Sequence, residues 1–314
     1  MAEIEKASLT GAQQTALIGL YAKALDSRRP DSILCDREAD QALQRVDCDF
    51  TALRLRRRDQ ISAAVRAKAY DRWGQCFIDA HPECVVLHLG CGLDTRVYRV
   101  NPPATVDWYD IDLPEVVRLR RRLFTPRAGL HTIAASVTDP RLLDPIAADK
   151  PVLVVAEGLT PYLRAADGVA MLRRITERFP GGELVFDGYS TVGVRGLQRY
   201  PAVKASGAQL HWSINDPHDL EKTVPGLIFD CESWYWGPVE IKQHYSRLYR
   251  RLMPILFHIT PIRRLGRALY YHFDDPGAQR SLNPHKRLGL SFGHPPVQWH
   301  GDEIPPLSQG FPRA

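Results

Sequence analysis

Cys84-Val85-Val86-Leu87-His88-Leu89-Gly90-Cys91-Gly92-Leu93-Asp94-Thr95-Arg96 is the stretch on which the fold turns. A short apolar run closed by glycine reads as a strand buried on both faces. Glycine at positions 90 and 92 lets the backbone turn tightly and approach a ligand with no Cβ in the way. After the first strand of a doubly wound sheet, such a turn faces the crevice where ligands bind. Alone, Gly-x-Gly occurs in many loops and names no ligand.

Downstream, the same punctuation repeats. Strands are predicted at residues 106–111, 131–135, 152–156 and 182–187, with helices at 114–124 and 165–179 between them. Pro114 suits a first helical turn, where its missing N–H would have no intrahelical partner. Strands alternating with helices predict a doubly wound, mostly parallel, Rossmann-like α/β sheet. Upstream, helical periodicity covers residues 8–25, 36–44 and 53–80, and in the last of these Ile61, Val65, Ala69 and Trp73 recur every four residues. Residues 1–80 are therefore expected to form an N-terminal helical cap within the same domain as a core over 81–290. Beyond residue 190 the pattern loosens. Helices are expected near 193–200, 217–224 and 243–255, and the last sheet strands near 227–236 and in the very C-terminal region. Residues 291–314 read as an irregular tail, and no internal repeat is visible.

Composition narrows the function classes. The 314 residues are 44% hydrophobic and 25% charged, which excludes wholesale disorder. The net charge of +5 is modest. Arginines cluster at 54, 56, 57, 58 and at 118, 120, 121, 122, each set flanked by Leu or Val, so both read as solvated helix faces. A nucleic-acid surface would need such patches to converge with stacking aromatics, and no nucleic-acid partner is expected. Six cysteines form no CxxC pair and no zinc-like spacing with histidine, which fits reduced thiols, no metal and a cytoplasmic location. The charged N-terminus lacks the apolar stretch of a signal peptide, and no run reaches the ~18 apolar residues of a membrane span. A soluble protein without a membrane partner is expected.

Four acids lie at or just beyond the ends of the predicted strands. The turn carries Leu93-Asp94-Thr95 where a dinucleotide fingerprint would place its third glycine. Asp94 would repel a pyrophosphate seated there and suits a cofactor bearing a sulfonium and an ammonium. After the second strand, Asp110 and Asp112 compete to accept hydrogen bonds from a ribose; the loser could cap the following helix. After the fourth, Glu157 closes an apolar strand, a costly place for a carboxylate unless it is paired or faces a wet cavity.

Several ordered strings resemble one known family. VVLHLGCGLDTRVYR (85–99), YDIDLPEV (109–116) and VAEGLTPYL (155–163) are similar to the leucine carboxyl methyltransferases, and within them to a bacterial branch akin to the tetracenomycin polyketide O-methyltransferases. LTGAQQTALIGLYAKALDSRRPDSILCD (9–36) and FPGGELVFDG (179–188) extend the resemblance, which weakens after about residue 275. It implies a class I methyltransferase sheet with S-adenosylmethionine as cofactor. It implies that Arg66 holds the methionine carboxylate, that Gly90 and Gly92 form the backbone-approach loop, that Asp112 rather than Asp110 takes the ribose, and that Glu157 lies beside the amino group and sulfonium. Read without the resemblance, Arg66 is equally a helix-surface arginine. Where the family often carries Asp-Leu for the adenine amino group, this chain has Ser136-Val137, so adenine could be met by Ser136, the Val137 backbone or Asp139. Lys23 falls near a basic residue common on the family's N-terminal helix.

Methyl transfer from a sulfonium is an in-line displacement that needs positioning and exclusion of water more than a base. A carboxylate acceptor is already ionised at neutral pH, whereas a phenol would benefit from a general base. With no His–Asp arrangement on strand ends, a carboxylate or another readily ionised oxygen is favoured. Tyr162, Tyr189, His211 and Trp212 are the candidates for the acceptor side, Tyr189 and His211 foremost, though each residue type is also ordinary packing. The expected activity is O-methylation of a small-molecule acid, of the polyketide kind that the resemblance implies. Protein C-terminal carboxyl methylation, an NAD-dependent oxidoreductase and a methyltransferase-like binding protein without turnover are the competing readings.

Overall fold

The computed structural model describes residues 4–6, 9–50, 55–233, 244–245, 247–248, 250–252 and 260–274. Its centre is a seven-stranded sheet in the order β5-β4-β3-β6-β7-β9-β8. These strands are β3 (Val85–Leu89), β4 (Asp107–Asp112), β5 (Leu130–Ala134), β6 (Val152–Ala156), β7 (Gly181–Gly188), β8 (Ile228–Ser233) and β9 (Arg267–Asp274). From β5 to β7 every pairing is parallel, and β9 runs antiparallel to both β7 and β8. This is a doubly wound, mostly parallel, Rossmann-like sheet. Chain order reverses between β3 and β6, so the crevice beyond their carboxyl ends is where such a sheet binds ligands.

Alternation explains the two cores. Val85, Leu87 and Leu89 of β3, with Val152, Val154 and Ala156 of β6, face one side and pack against α6 (Ala165–Arg178) through Met171, Leu172 and Ile175. Val86, Leu153 and Val155 face the other side, against Val65, Trp73 and Phe77 of α3 (Arg57–Ala80). Residues buried on both sheet faces need apolar side chains at every position, which is why these strands are continuous apolar runs.

The N-terminal region adds α1 (Thr15–Ser27), entered by a 3₁₀ turn at Gly11–Gln14, and α2 (Arg37–Gln44), capped by Asp36 accepting from the Ala39 N–H at 3.0 Å. Leu17, Leu20, Leu43, Leu119, Leu123 and Phe124 join α1 and α2 to α5 (Pro114–Leu123) in a third apolar cluster. A two-stranded parallel sheet, β1 (Glu5–Lys6) with β2 (Val46–Asp47), was not anticipated from the sequence. Three short helices were also unforeseen or shifted: α4 (Arg96–Val100), α7 (Thr191–Gln198) and α8 (Pro201–Ser206); α9 (His218–Thr223) lies where a helix was expected.

The sheet strand expected in the very C-terminal region lies outside the described residues. Not foreseen in the sequence was the strand Arg267–Asp274, which inserts between β7 and β8. Its Arg-Ala-Leu-Tyr-Tyr-His-Phe-Asp carries no period of two because nearly every residue is buried, Tyr270 fully and against Trp73 at 4.3 Å between ring centroids. Most of the helix expected at 243–255 and the whole tail from 291 lie outside the described residues. All six cysteines are free thiols, no metal-binding cluster occurs among the described residues, and no described helix is long and apolar enough to cross a membrane.

Candidate active site

A cavity of about 530 Å³ opens beyond the carboxyl ends of β3, β4 and β6. One wall is the sheet edge: the glycine turn, Asp112, Ser136, Val137 and Glu157. The opposite wall comes from the cap and from the segments after β6 and β7, and includes Thr15, Arg66, Tyr162, Tyr189, Leu197 and Tyr200.

The glycine turn is built for close approach. Gly90 has φ +60° and Gly92 φ +53°, a region that side chains with a Cβ occupy only under strain. A Cβ on Gly90 would lie 2.9 Å from Leu159, and one on Gly92 would lie 3.2 Å from the Cβ of Ala16 in α1. The cap therefore presses directly on the turn. The Gly92 N–H donates to Asp112 Oδ2 at 2.7 Å, which ties the turn to the end of β4.

The two competing aspartates take different roles. Asp110 is sealed in the core, accepting from Trp108 Nε1 and Arg120 Nε, each at 3.0 Å, and facing His88 Nδ1 at 3.0 Å. Asp112 lines the cavity. Burial pushes its carboxyl up, and the N–H groups of Gly92 and Leu113 offset this only in part. Its oxygens keep lone pairs that could accept further hydroxyl hydrogens.

Behind the turn lies a buried ion network that the sequence did not disclose. Asp94 is held by Lys23 Nζ at 2.9 Å, Arg99 Nη1 at 2.8 Å and Arg96 Nη1 at 3.3 Å. Despite burial, these cations keep its carboxyl well below the usual range. The reading of Asp94 as an open acid facing a cationic cofactor is thereby corrected: Arg96 and Arg99, just downstream, and Lys23 from α1 neutralise it. Arg96, fully buried, also pairs with Asp71 at 2.8 Å and with Glu157. Arg99 bridges Asp36, Asp71 and Asp94. A guanidinium can only donate, so Arg96 Nη1, 3.1 Å from His88 Nε2, makes that nitrogen the acceptor and leaves the proton on Nδ1, toward Asp110. Burial holds the imidazole below its ordinary pKa, so it is neutral.

Glu157 follows β6 and receives Arg66 Nε at 2.9 Å, with Lys23 Nζ at 3.8 Å. Burial opposes its charge, but Lys23, Arg66 and Arg96 outweigh that and hold the carboxyl at about 2. Lys23, Arg66, Arg96 and Arg99 face Asp36, Asp71, Asp94, Glu157 and Asp187, one carboxylate more than there are cations. Such a cluster has no surplus positive charge for a pyrophosphate, and it suits a ligand carrying cationic groups.

Ser136 and Val137 both line the cavity. Ser136 Oγ lies 2.7 Å from Thr138 Oγ1 and accepts from the Thr138 N–H at 3.2 Å, so it closes a local turn. Tyr162 and Tyr189 also reach the cavity. Burial pushes both phenols above their ordinary range, and Tyr189 shares a hydrogen bond with Arg66. His211 is not brought in. Its side chain is exposed, its backbone N–H donates to the Pro161 carbonyl at 2.7 Å, and it is not among the described residues that line the cavity. Trp212 packs in the core beside Gly168 of α6. Arg96, Asp71 and Asp187 escaped the sequence reading. The signal for Asp187 was present: it closes a buried strand as Glu157 does.

The residues present fit S-adenosylmethionine. Asp112 offers a carboxylate that could accept from hydroxyls, Arg66 a guanidinium that could pair with a carboxylate, and Gly90 a turn open to close backbone approach. The profile of the leucine carboxyl methyltransferase family matches residues 12–176. The chain is 44% identical over 230 residues to the tetracenomycin polyketide synthesis O-methyltransferase TcmP of Streptomyces glaucescens, covering 73% of this chain and 85% of that protein. It is 33% identical over 248 residues to the S-adenosyl-L-methionine-dependent methyltransferase dpfgK of Gibberella zeae, covering 71% and 82%. In fold it is similar to a crystal structure of a protein assigned as a methyltransferase from Thermobifida fusca, at 19% identity and a TM-score of 0.50, covering 81% of this chain and 94% of that one. The chain belongs to the leucine carboxyl methyltransferase family.

Proposed function

We propose that this family member is an S-adenosylmethionine-dependent O-methyltransferase that acts on a small polyketide-like metabolite and forms a methyl ester on its carboxylate. One observation carries the reading: the glycine turn, Asp112, Glu157 and Arg66 converge on one cavity whose far side is phenolic and apolar. Arg66 would hold the methionine carboxylate, Asp112 the ribose and Ser136 or Val137 the adenine. The bound cofactor supplies an electrophilic methyl group. The protein's part is to orient the acceptor oxygen behind that methyl and to exclude water, which can lower the barrier by several kcal/mol.

The choice of a carboxylate over a phenol rests on the wall chemistry. Tyr162, Tyr189 and Tyr200 are all held protonated by burial, so they orient an oxygen as donors and do not take its proton. Glu157 and Asp94 are locked in ion pairs, and His88, the one histidine among the described lining residues, has both nitrogens engaged. An acceptor that arrives already ionised needs none of them. The cap belongs to the same functional unit, since Lys23 and Arg66 reach the site from α1 and α3. The same reading makes the protein soluble and cytoplasmic, with a small molecule as partner and no nucleic acid.

Calorimetry with S-adenosylmethionine, S-adenosylhomocysteine and NADH tests the cofactor, and labelled methyl transfer to a panel of aromatic carboxylates and their phenol analogues tests the acceptor. Binding of both sulfur compounds and not NADH is expected, with label on the carboxylates in a base-labile ester. NADH binding alone, or label confined to the phenols, would refute the respective half.

A further inference from the structure

Asp187 closes β7 and is fully buried, yet it does not line the cavity. An ionised side chain in that setting is costly unless its oxygens are fully occupied. They are. Oδ1 accepts from Tyr70 of α3 at 3.0 Å, and Oδ2 accepts from the Gly158 N–H and stands 3.7 Å from Arg66 Nη1. Its backbone carbonyl accepts from the Thr160 hydroxyl. One carboxylate thus reaches three elements at once: the helix that carries Arg66, the turn that carries Glu157, and the strand after which Tyr189 follows.

We propose that Asp187 is a positioning residue for the amino-acid end of the cofactor, setting the direction of the Arg66 guanidinium and the Glu157–Gly158 turn without touching the ligand. This rests on the cofactor assigned above. Arg66 is drawn from two sides, by Glu157 at Nε and by Asp187 at Nη1. A guanidinium pairs most strongly in a two-point geometry with one carboxylate. With Asp187 removed, Arg66 would turn onto Glu157 in that geometry and withdraw its donors from the cavity. Asp187 prevents this by holding Nη1 away from Glu157, and by fixing the Gly158 N–H it keeps Glu157 where its own partners can reach it. Removing one negative charge also strengthens the local attraction for a carboxylate, but that gain acts on a guanidinium no longer aimed at the ligand.

The test compares two ligands that share adenosine and sulfur but differ in the amino-acid end, S-adenosylhomocysteine and 5′-methylthioadenosine, by calorimetry on the full chain. Asp187→Ala should weaken S-adenosylhomocysteine by about ten- to a hundredfold, the scale of one charge-assisted hydrogen bond, and leave 5′-methylthioadenosine within about threefold. Asp187→Asn keeps a carbonyl for the Gly158 N–H and should recover part of the loss. Tyr70→Phe, which keeps the charge, should show the same selectivity at smaller size, and both milder variants carry the test if the alanine variant does not fold. Equal weakening of both ligands would make Asp187 a packing residue and overturn the proposal, as would unchanged affinity for S-adenosylhomocysteine. A wild-type chain that binds 5′-methylthioadenosine and not S-adenosylhomocysteine overturns it directly. Binding of neither by the wild type is a different result, the failure of the cofactor assignment itself.

Discussion

The two walls of the cavity are made on opposite principles. The sheet-edge wall is backed by a locked ionic network: the side chains of Asp94, Glu157, Arg96 and Arg99 are at most 8% exposed and paired with one another. Apart from Lys23 and Arg66, which reach across into that network, the opposite wall presents phenols and aliphatic side chains, among them the partly exposed Leu197 and Tyr200. An invariant ligand rewards the first design, because preorganised charges lose no energy to rearrangement when it binds. A variable acceptor is served by the second, where shape changes with single residues. The contrast teaches that cofactor and acceptor specificity are separable in this fold.

The severest challenge to that contrast is Arg96→Met. It strands Asp71, Asp94 and Glu157 with fewer partners, so a destabilisation of about 3–5 kcal/mol is expected in urea unfolding. A loss below that of a surface substitution would mean the ionic wall is not locked. Next comes Gly90→Ala, which forces a Cβ into positive φ and against Leu159. A stability cost of about 1–3 kcal/mol is expected, with a larger fall in S-adenosylhomocysteine affinity measured by calorimetry.

Acidification should act on the ionic wall alone, in two stages. His88 is buried neutral, with its pKa lowered from 6.5, so the unfolded chain binds the proton more readily. Its contribution is complete above pH 6.5 and is lost as pH falls below that value. Glu157 is lowered from 4.5 to about 2, so its contribution is complete above 4.5 and disappears between there and about 2. Melting temperature should hold from pH 8 to 7, decline below 6.5 and steepen below 4.5. A midpoint unchanged down to pH 4 would contradict the neutral, buried state of His88.

On the cap wall, Leu197→Trp should raise the acceptor KM by about tenfold, the order expected from overfilling a pocket, with S-adenosylhomocysteine affinity unmoved. If both constants shift together, the walls are not separable. The smallest effect belongs to His211→Ala, where turnover and melting temperature should match the wild type, since the exposed ring lies off the cavity.

What could be read from the sequence follows the same division. The strands at 85–89 and 152–156 lay within a residue of expectation, because burial on both faces demands near-continuous apolar runs, and 107–112 lay within a residue through its alternating buried Trp108 and Asp110. Asp112 and Glu157 could be placed at strand ends because chain topology alone puts them there. Asp94 could be located but not interpreted, since Arg96 and Arg99 of α4 and Lys23 of α1 converge on it, and no local pattern records how those two helices pack. Strand Arg267–Asp274 went unread for a related reason: two tyrosines and a histidine, sheltered between neighbouring strands, mimic a polar segment. His211 lies off the described cavity, since nearness along an inserted segment does not say which way a side chain faces.

The near contact between Gly92 and Ala16 has an evolutionary consequence. With only 3.2 Å between a would-be Cβ at 92 and the methyl at 16, the two positions form one heritable unit. A lineage can add a side chain at 92 only if Ala16 gives way, and lifting α1 to make room carries Lys23 away from Asp94. Mutational drift in the turn is therefore policed by a helix that lies seventy-odd residues upstream, and compensating pairs at 16 and 92 should be rarer among viable variants than independent mutation would produce.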